Sequence, residues 1–198
     1  MTIVEQYNFM SFMEKYNNKK NIRFDLFKKT LELALKRNFK TIVETGTSRG
    51  KSKFFFFSKL NWKDGMSTLI FSEFAHLVQG ELHTCDISKK NLDNAKDFTK
   101  KFKKNIRFYL KDSVLFLQEF HKQIDLLYLD SFDGHDVDLA SKHQLKEAKA
   151  VIDKLNDNSL ILLDDKGAKT LYSLDYFLKN KYKIILESKS QVLLSKAS

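Results

Sequence analysis

Phe39-Lys40-Thr41-Ile42-Val43-Glu44-Thr45-Gly46-Thr47-Ser48-Arg49-Gly50 is the stretch on which the fold turns. Its short β-branched run meets an acid at Glu44 and breaks at Gly46. Such a run, closing on an acid and a glycine, predicts a first parallel strand whose carboxyl end is delivered to a ligand. Glycine at the break permits φ > 0 in the tight turn and lets the backbone approach a bound molecule closely. Glu44 supplies a hydrogen-bond acceptor there. A buried strand followed by a loop glycine fits the same residues without any ligand, so the next segment matters.

That segment, Asn61 to Gly80, places Asp64-Gly65 before Ser67-Thr68 and then an apolar-periodic run through Leu69, Ile70, Phe74 and Leu77. Turn residues, a capping hydroxyl and a period near 3.6 predict a helix start. A helix N-terminus offers free N–H groups and a positive dipole to a carboxylate or phosphate. After Gly80 the chain reads Glu81-Leu82-His83-Thr84-Cys85-Asp86, a short strand closing on an acid. From Gly65 to Asp86 is 21 positions, close to the spacing of about 20 at which a strand-end carboxylate grips a ribose. The expected ligand therefore contains a ribose.

With 198 residues and 42% hydrophobic content, the chain is long enough for one sizeable core and short for two ordinary domains. The expected division is residues 1–38 as helices packing on the core and 39–198 as the ligand-binding unit, a single domain overall. No apolar run approaches the length of about 18 needed to span a bilayer, and the start lacks the order of a signal peptide. A soluble cytoplasmic protein is expected. The single cysteine, Cys85, fits a reduced compartment and a structural role. A net charge of +10 invites a nucleic-acid reading. Against it, only Arg23, Arg37, Arg49 and Arg107 are arginine, whereas phosphate-gripping and base-reading sites favour arginine's fork. A nucleic-acid substrate is not expected.

In order, the pattern predicts helices over residues 3–16 and about Arg23 to Arg37, the latter with Phe24, Phe27, Leu31, Leu33 and Leu35 inward. After the Asp86 strand come a helix from Ser88 to Phe102, a strand from Asn105 to Leu110, and a helix that Ser113 can cap. Ile124 to Asp130 is nearly continuously apolar, as for a strand covered on both faces. A helix over about Leu139 to Leu155 leads to Ser159 to Asp165, a fifth strand ending on two acids. A helix over about Ala168 to Asn180 and two strands, Tyr182 to Glu187 and Gln191 to Leu194, complete the chain. Three residues between the last two strands permit only an antiparallel hairpin. The expected fold is α/β: a doubly wound, Rossmann-like sheet of five parallel strands plus a C-terminal antiparallel hairpin, with helices on both faces. Between Thr47 and Asp64 lies an insertion carrying four consecutive phenylalanines, Phe54–Phe57. It suits a buried insertion, a mobile lid over the ligand, or a homo-oligomer contact.

The motifs Val43-Glu-Thr-Gly-Thr47, Asp64-Gly-Met-Ser-Thr68, His83-Thr-Cys-Asp-Ile-Ser88, Leu110-Lys-Asp-Ser113, Leu126-Leu-Tyr-Leu-Asp-Ser131 and Leu160-Ile-Leu-Leu-Asp-Asp165 follow one another in fixed order. Together they resemble the class I S-adenosylmethionine-dependent methyltransferases over roughly Phe39 to the C-terminus. The pairing of the last two is most similar to small-molecule O-methyltransferases of the catechol and macrolide-sugar types. The resemblance implies S-adenosylmethionine as cofactor, with Glu44, Thr45 and Gly46 beside the methionine part and Gly65 and Ser67 at the helix start. It further implies Asp86 on the ribose hydroxyls, Asp112 and Ser113 at the adenine edge, and Asp130 bordering the cofactor. The sequence departs from the pattern at Ser48, where the family has a second loop glycine, in the Thr47 to Asp64 insertion, and at Asn158-Ser159, where paired glycines are common.

In such a sheet Asp130, Asp164 and Asp165 lie on neighbouring strand ends, where three carboxylates repel unless a cation joins them. Mg²⁺ is the expected cation. It would hold and activate the hydroxyl of a small-molecule acceptor. Asp130, Asp133 and His135 are the candidate catalytic groups, with His143 a further base; His76 and His121 read as structural. Two rival readings are a nicotinamide-dependent oxidoreductase, which lacks its G-x-G-x-x-G here, and a non-catalytic cofactor-binding or interaction protein.

Overall fold

A computed structural model describes residues 3–54 and 57–197. Helices α1 (Ile3–Glu14) and α2 (Phe24–Lys36) precede strand β1 (Thr41–Thr45). The insertion that follows folds as a two-stranded antiparallel hairpin, β2 (Lys51–Phe54) and β3 (Phe57–Leu60), with its ends at Gly50 and Asn61 joined by a backbone hydrogen bond. Phe55 and Phe56, at the centre of the expected subunit contact, lie outside the described residues. Then come α3 (Ser67–Leu77), β4 (Glu81–Asp86), α4 (Lys89–Phe98), β5 (Ile106–Leu110), α5 (Ser113–Glu119) and β6 (Ile124–Leu129). The chain closes with α6 (Val137–Val151), β7 (Leu155–Asp164), α7 (Leu171–Lys179), β8 (Tyr182–Glu187) and β9 (Gln191–Lys196).

The main sheet has seven strands in the order β5-β4-β1-β6-β7-β9-β8. The first five are parallel, and β9 runs antiparallel to both of its neighbours. This is the expected fold, with the hairpin turned so that its second strand inserts between its first and β7. Alternation along the strands separates two cores, because successive side chains point to opposite faces. Ile42, Leu126, Tyr128, Leu160 and Leu162 meet α1, α2 and α3; Val43, Leu127, Leu129, Ile161 and Leu163 meet α5, α6 and α7. Phe9, Phe12, Phe24, Phe27 and Leu31 of the first two helices belong to the former core. No helix among the described residues is long and apolar enough to cross a membrane.

Successive connections leave β1 in opposite directions, since β4 pairs on one side of it and β6 on the other. Ligands of open α/β sheets bind beyond the carboxyl ends of the strands at such a point. Beneath it, Phe27, Phe71 and Tyr128 pack edge-to-face with centroids 5.3–5.6 Å apart. Each such pair is worth about 0.5–1.5 kcal/mol beyond the area it buries. The triad locks α2, α3 and β6 together, and so fixes Arg23, one helical turn before Phe27.

Candidate active site

A cleft of about 740 Å³ opens over the carboxyl ends of β1, β4, β5 and β6. The loop Gly46–Arg49 forms one wall, Asp86 to Ser88 with Asn91 and Lys111 to Ser113 another, and Asp130 to Asp133 with His143 a third. Arg23, Lys63, Asp165 and Lys169 close the remaining side. Gly46 has φ +81°, and a Cβ there would stand 2.5 Å from the Asp130 carbonyl oxygen. Only glycine lets the turn after β1 pass so close to the end of β6. A shallower depression over α1, lined by Tyr7, Met10, Ser11, Glu14 and Lys15, gathers no comparable set of acids.

Asp86 is fixed at the end of β4 by two local donors: Oδ1 accepts from the Ser88 amide at 2.6 Å and Oδ2 from Asn91 Nδ2 at 3.0 Å. Ile87, beside it, is 77% exposed. Across the cleft Phe132, 48% exposed, holds φ 60° and stacks on His143 at 5.2 Å. Asp165, also a non-glycine residue with φ +50°, lines the same cleft. Asp112 caps α5, its Oδ1 accepting from the Val114 and Leu115 amides. Ser113 is therefore not the expected cap. Its Oγ is 2.9 Å from His143 Nε2 and donates to Ser131 Oγ at 3.2 Å, which donates to the buried Glu147 at 2.6 Å. Burial pushes the Glu147 carboxyl above its usual range.

Four of the expected ligand contacts lie off the cleft wall. Glu44 is fully buried beneath the loop, where Ser67 Oγ, Thr68 Oγ1 and Thr84 Oγ1 donate to it at 2.6, 2.8 and 2.7 Å. Desolvation raises its pKa from 4.5 to about 7, against the pull of the three hydroxyls. Ser67 is thus spent on Glu44, and Thr45 is fully buried. The start of α3 is completed from outside: Ser48 Oγ accepts from the Thr68 amide at 3.1 Å while Thr68 Oγ1 accepts from the Ser48 amide at 2.8 Å. This reciprocal cap, formed between distant segments, gives Ser48 a role that the family's glycine lacks. Gly65, at φ +74°, leaves room for Arg23, whose Cδ would lie 2.8 Å from any Cβ.

Asp130, Asp164 and Asp165 do converge, with one oxygen of each lying within 4.8 Å of the others. Two cations of the chain itself already hold them. Arg23 Nε donates to both Asp164 oxygens at 2.8 Å, and its Nη2 reaches Asp164 at 2.7 Å and Asp165 at 2.9 Å. Lys169 Nζ, with its side chain 4% exposed, donates to Asp130 Oδ1 at 2.8 Å and to Asp165 Oδ2 at 3.0 Å. Burial works against both cations, yet the facing carboxylates outweigh it and raise both pKa values. Desolvation and the charge of Asp164 push Asp130 well above the usual carboxylate range, while Lys169 and Arg23 pull it back. The three expected Mg²⁺ ligands are thus brought together, and each already pairs with a cation of the chain itself.

Of the expected bases, Asp133 lines the cleft but pairs with Arg49. His135 is exposed in the same loop and is not part of the cleft lining; His143 is. Arg23 and Lys169 carry no motif of their own. The one local signal is that Lys169 follows Asp165 by four positions.

A family model described as a methyltransferase domain matches residues 43–166, more than half of the chain. No curated protein matches the sequence. Among solved structures, the SAH-bound Podospora anserina methyltransferase PaMTH1 is similar at 14% identity and TM-score 0.60, covering 96% of this chain and 88% of its own. An rRNA methylase from Streptococcus thermophilus (11% identity, 87% and 96% covered, TM-score 0.59) shares the fold. So does the N-methyltransferase NodS from Bradyrhizobium japonicum (11%, 89% and 97%, TM-score 0.59). The sheet order, the cleft at its switch point and the match from Val43 to Lys166 agree, and the chain belongs to the methyltransferase-domain family.

Proposed function

We propose that the chain is an S-adenosylmethionine-dependent methyltransferase that acts on the hydroxyl oxygen of a small acceptor in the cytoplasm. The observation that carries this reading is Asp86, a strand-end carboxylate already oriented by Ser88 and Asn91 in the same cleft as the Asp130 rim. A fixed acceptor pair of this kind suits the vicinal hydroxyls of a ribose. Ile87 and Phe132 are apolar surfaces for an adenine, and Asp112 with Ser113 borders its polar edge. Gly46 and the loop after it would meet the methionine part, with Glu44, Thr45, Gly65 and Ser67 supporting that loop from below. The cofactor supplies an electrophilic methyl group on a sulfonium. Asp130 is the residue we assign to take the acceptor's proton, since it stands on the cleft wall where the rim begins.

The cleft must hold cofactor and acceptor together, and about 740 Å³ lies within the range of small-molecule sites. Arginine chemistry supports the same reading over a nucleic-acid substrate. Arg23 and Arg49 pair with aspartates of the site, Arg37 donates to the Asn158 carbonyl and Ser195, and Arg107 to the Lys104 and Ile106 carbonyls. Each of the four thus has at least one partner within the chain.

Calorimetric titration with S-adenosylmethionine and with NAD separates this function from its rivals: the former should bind and the latter should not. Asp86→Ala should weaken S-adenosylmethionine by about 1.5–3 kcal/mol, the range for a hydrogen bond to a charged group. Unchanged affinity in that variant would remove Asp86 from the ribose.

A further inference from the structure

We propose that Arg23 and Lys169 form a resident cationic pair that takes the place of a divalent ion at the Asp130–Asp164–Asp165 rim, with Lys169 Nζ meeting the acceptor oxygen. The inference rests on the methyl-transfer reading above and adds how the acceptor is activated. By spacing alone the three carboxylates could hold a metal. The donors around them argue otherwise, because all six oxygens have one. Asp164 gives both of its oxygens to Arg23; Asp165 gives one to Arg23 and one to Lys169; Asp130 gives Oδ1 to Lys169 and receives the Tyr128 hydroxyl on Oδ2 at 3.3 Å.

Neither cation can step aside cheaply. A guanidinium keeps its proton at any accessible pH. Arg23 is further held by its Nη1 bond to the Lys63 carbonyl at 3.2 Å and by the bare Gly65 backbone it passes. A divalent ion entering the rim would stand within a few ångströms of two positive nitrogens, a repulsion that the carboxylates, already neutralised in large part, cannot offset.

Lys169 is also equipped for the chemistry. Two of its three N–H donors are spent at 2.8 and 3.0 Å, whereas the third reaches only the Asp130 carbonyl at 3.5 Å. That donor is the one available to an oxygen in the cleft, which Lys169 lines. As the acceptor hydroxyl attacks, its proton passes to the Asp130 carboxylate and its oxygen forms the new bond to the methyl carbon. The carbon–sulfur bond breaks with its electron pair remaining on sulfur. Lys169 stays protonated throughout and donates to the oxygen as negative charge builds on it, so it lowers the barrier without exchanging a proton.

The test is binding of Mn²⁺ alone, followed by the loss of its free electron paramagnetic resonance signal, on the wild type, Lys169→Met and Arg23→Gln. Wild type should leave the signal intact at millimolar Mn²⁺, and Lys169→Met should gain affinity by roughly tenfold or more as a charge leaves the rim. If Arg23→Gln does not fold, Lys169→Met carries the comparison by itself. Saturable Mn²⁺ binding by wild type, lost in Asp164→Asn, would overturn the proposal; so would Lys169→Met with no gained affinity. With an acceptor in hand, Lys169→Met should lower kcat by about 10²–10³ while S-adenosylmethionine affinity holds. An unchanged kcat would overturn the role of Nζ. Failure of every form to bind S-adenosylmethionine would instead remove the methyl-transfer reading itself.

Discussion

Glu44 and Asp164 are both strand-end acids with no exposed surface, and the molecule satisfies them in opposite ways. Glu44 is surrounded by three hydroxyls and no cation, so burial wins and its proton affinity rises. Asp164 is gripped across both oxygens by a guanidinium. Hydroxyls can donate to a carboxylate or rearrange around a carboxylic acid, whereas a guanidinium accepts nothing. What an acid does at a strand end is set by the neighbours that distant segments bring to it.

The sharpest way to break this comparison is to remove Arg23. Arg23→Met leaves Asp164 buried beside no compensating fork and should cost about 3–5 kcal/mol in urea unfolding, as one-sided loss of a buried ion pair does. The double variant Arg23→Met, Asp164→Leu should recover most of it. A cost below about 1 kcal/mol would put the pair in the class of surface bridges and end the contrast.

Glu44→Gln probes the other side. The folded pKa is about 7 against an ordinary 4.5, so folding favours the protonated form. That contribution is complete below pH 4.5 and is lost as pH rises through about 7. Relative to wild type, Glu44→Gln should therefore gain up to about 3 kcal/mol between acid pH and well above neutrality. A difference that does not vary with pH would show that Glu44 titrates alike in the folded and the unfolded chain. Tyr128→Phe should have the smallest effect, about 1 kcal/mol or less, because its hydroxyl meets Asp130 at a long 3.3 Å.

Four of the five parallel strands were legible because a buried run meets an acid at its end, Val43 before Glu44, Cys85 before Asp86, Leu129 before Asp130 and Leu163 before Asp164, while at β5 the acid, Asp112, comes one residue later. Convergence of the three aspartates followed from the strand order. The compensating charges did not, since Arg23 reads only as the start of an amphipathic helix and its partners lie 141 and 142 positions away. Ser67 and Thr68 carried the opposite ambiguity. A hydroxyl before an apolar run signals a cap, and nothing local reveals that Glu44 from another strand claims both.

The clasp between Arg23 and Asp164 also bears on the order in which the chain can assemble. Closing a loop of 141 residues costs about 4 kcal/mol of chain entropy if nothing between them is yet ordered. During synthesis Asp164 leaves the ribosome only after β1, β4, β5 and β6 are complete, so a helix made early waits for a strand made late. We expect a contact of this range to close after the rate-limiting step of folding. Its removal should then hasten unfolding and leave the refolding rate nearly unchanged, making the rim a latch on the lifetime of the native state.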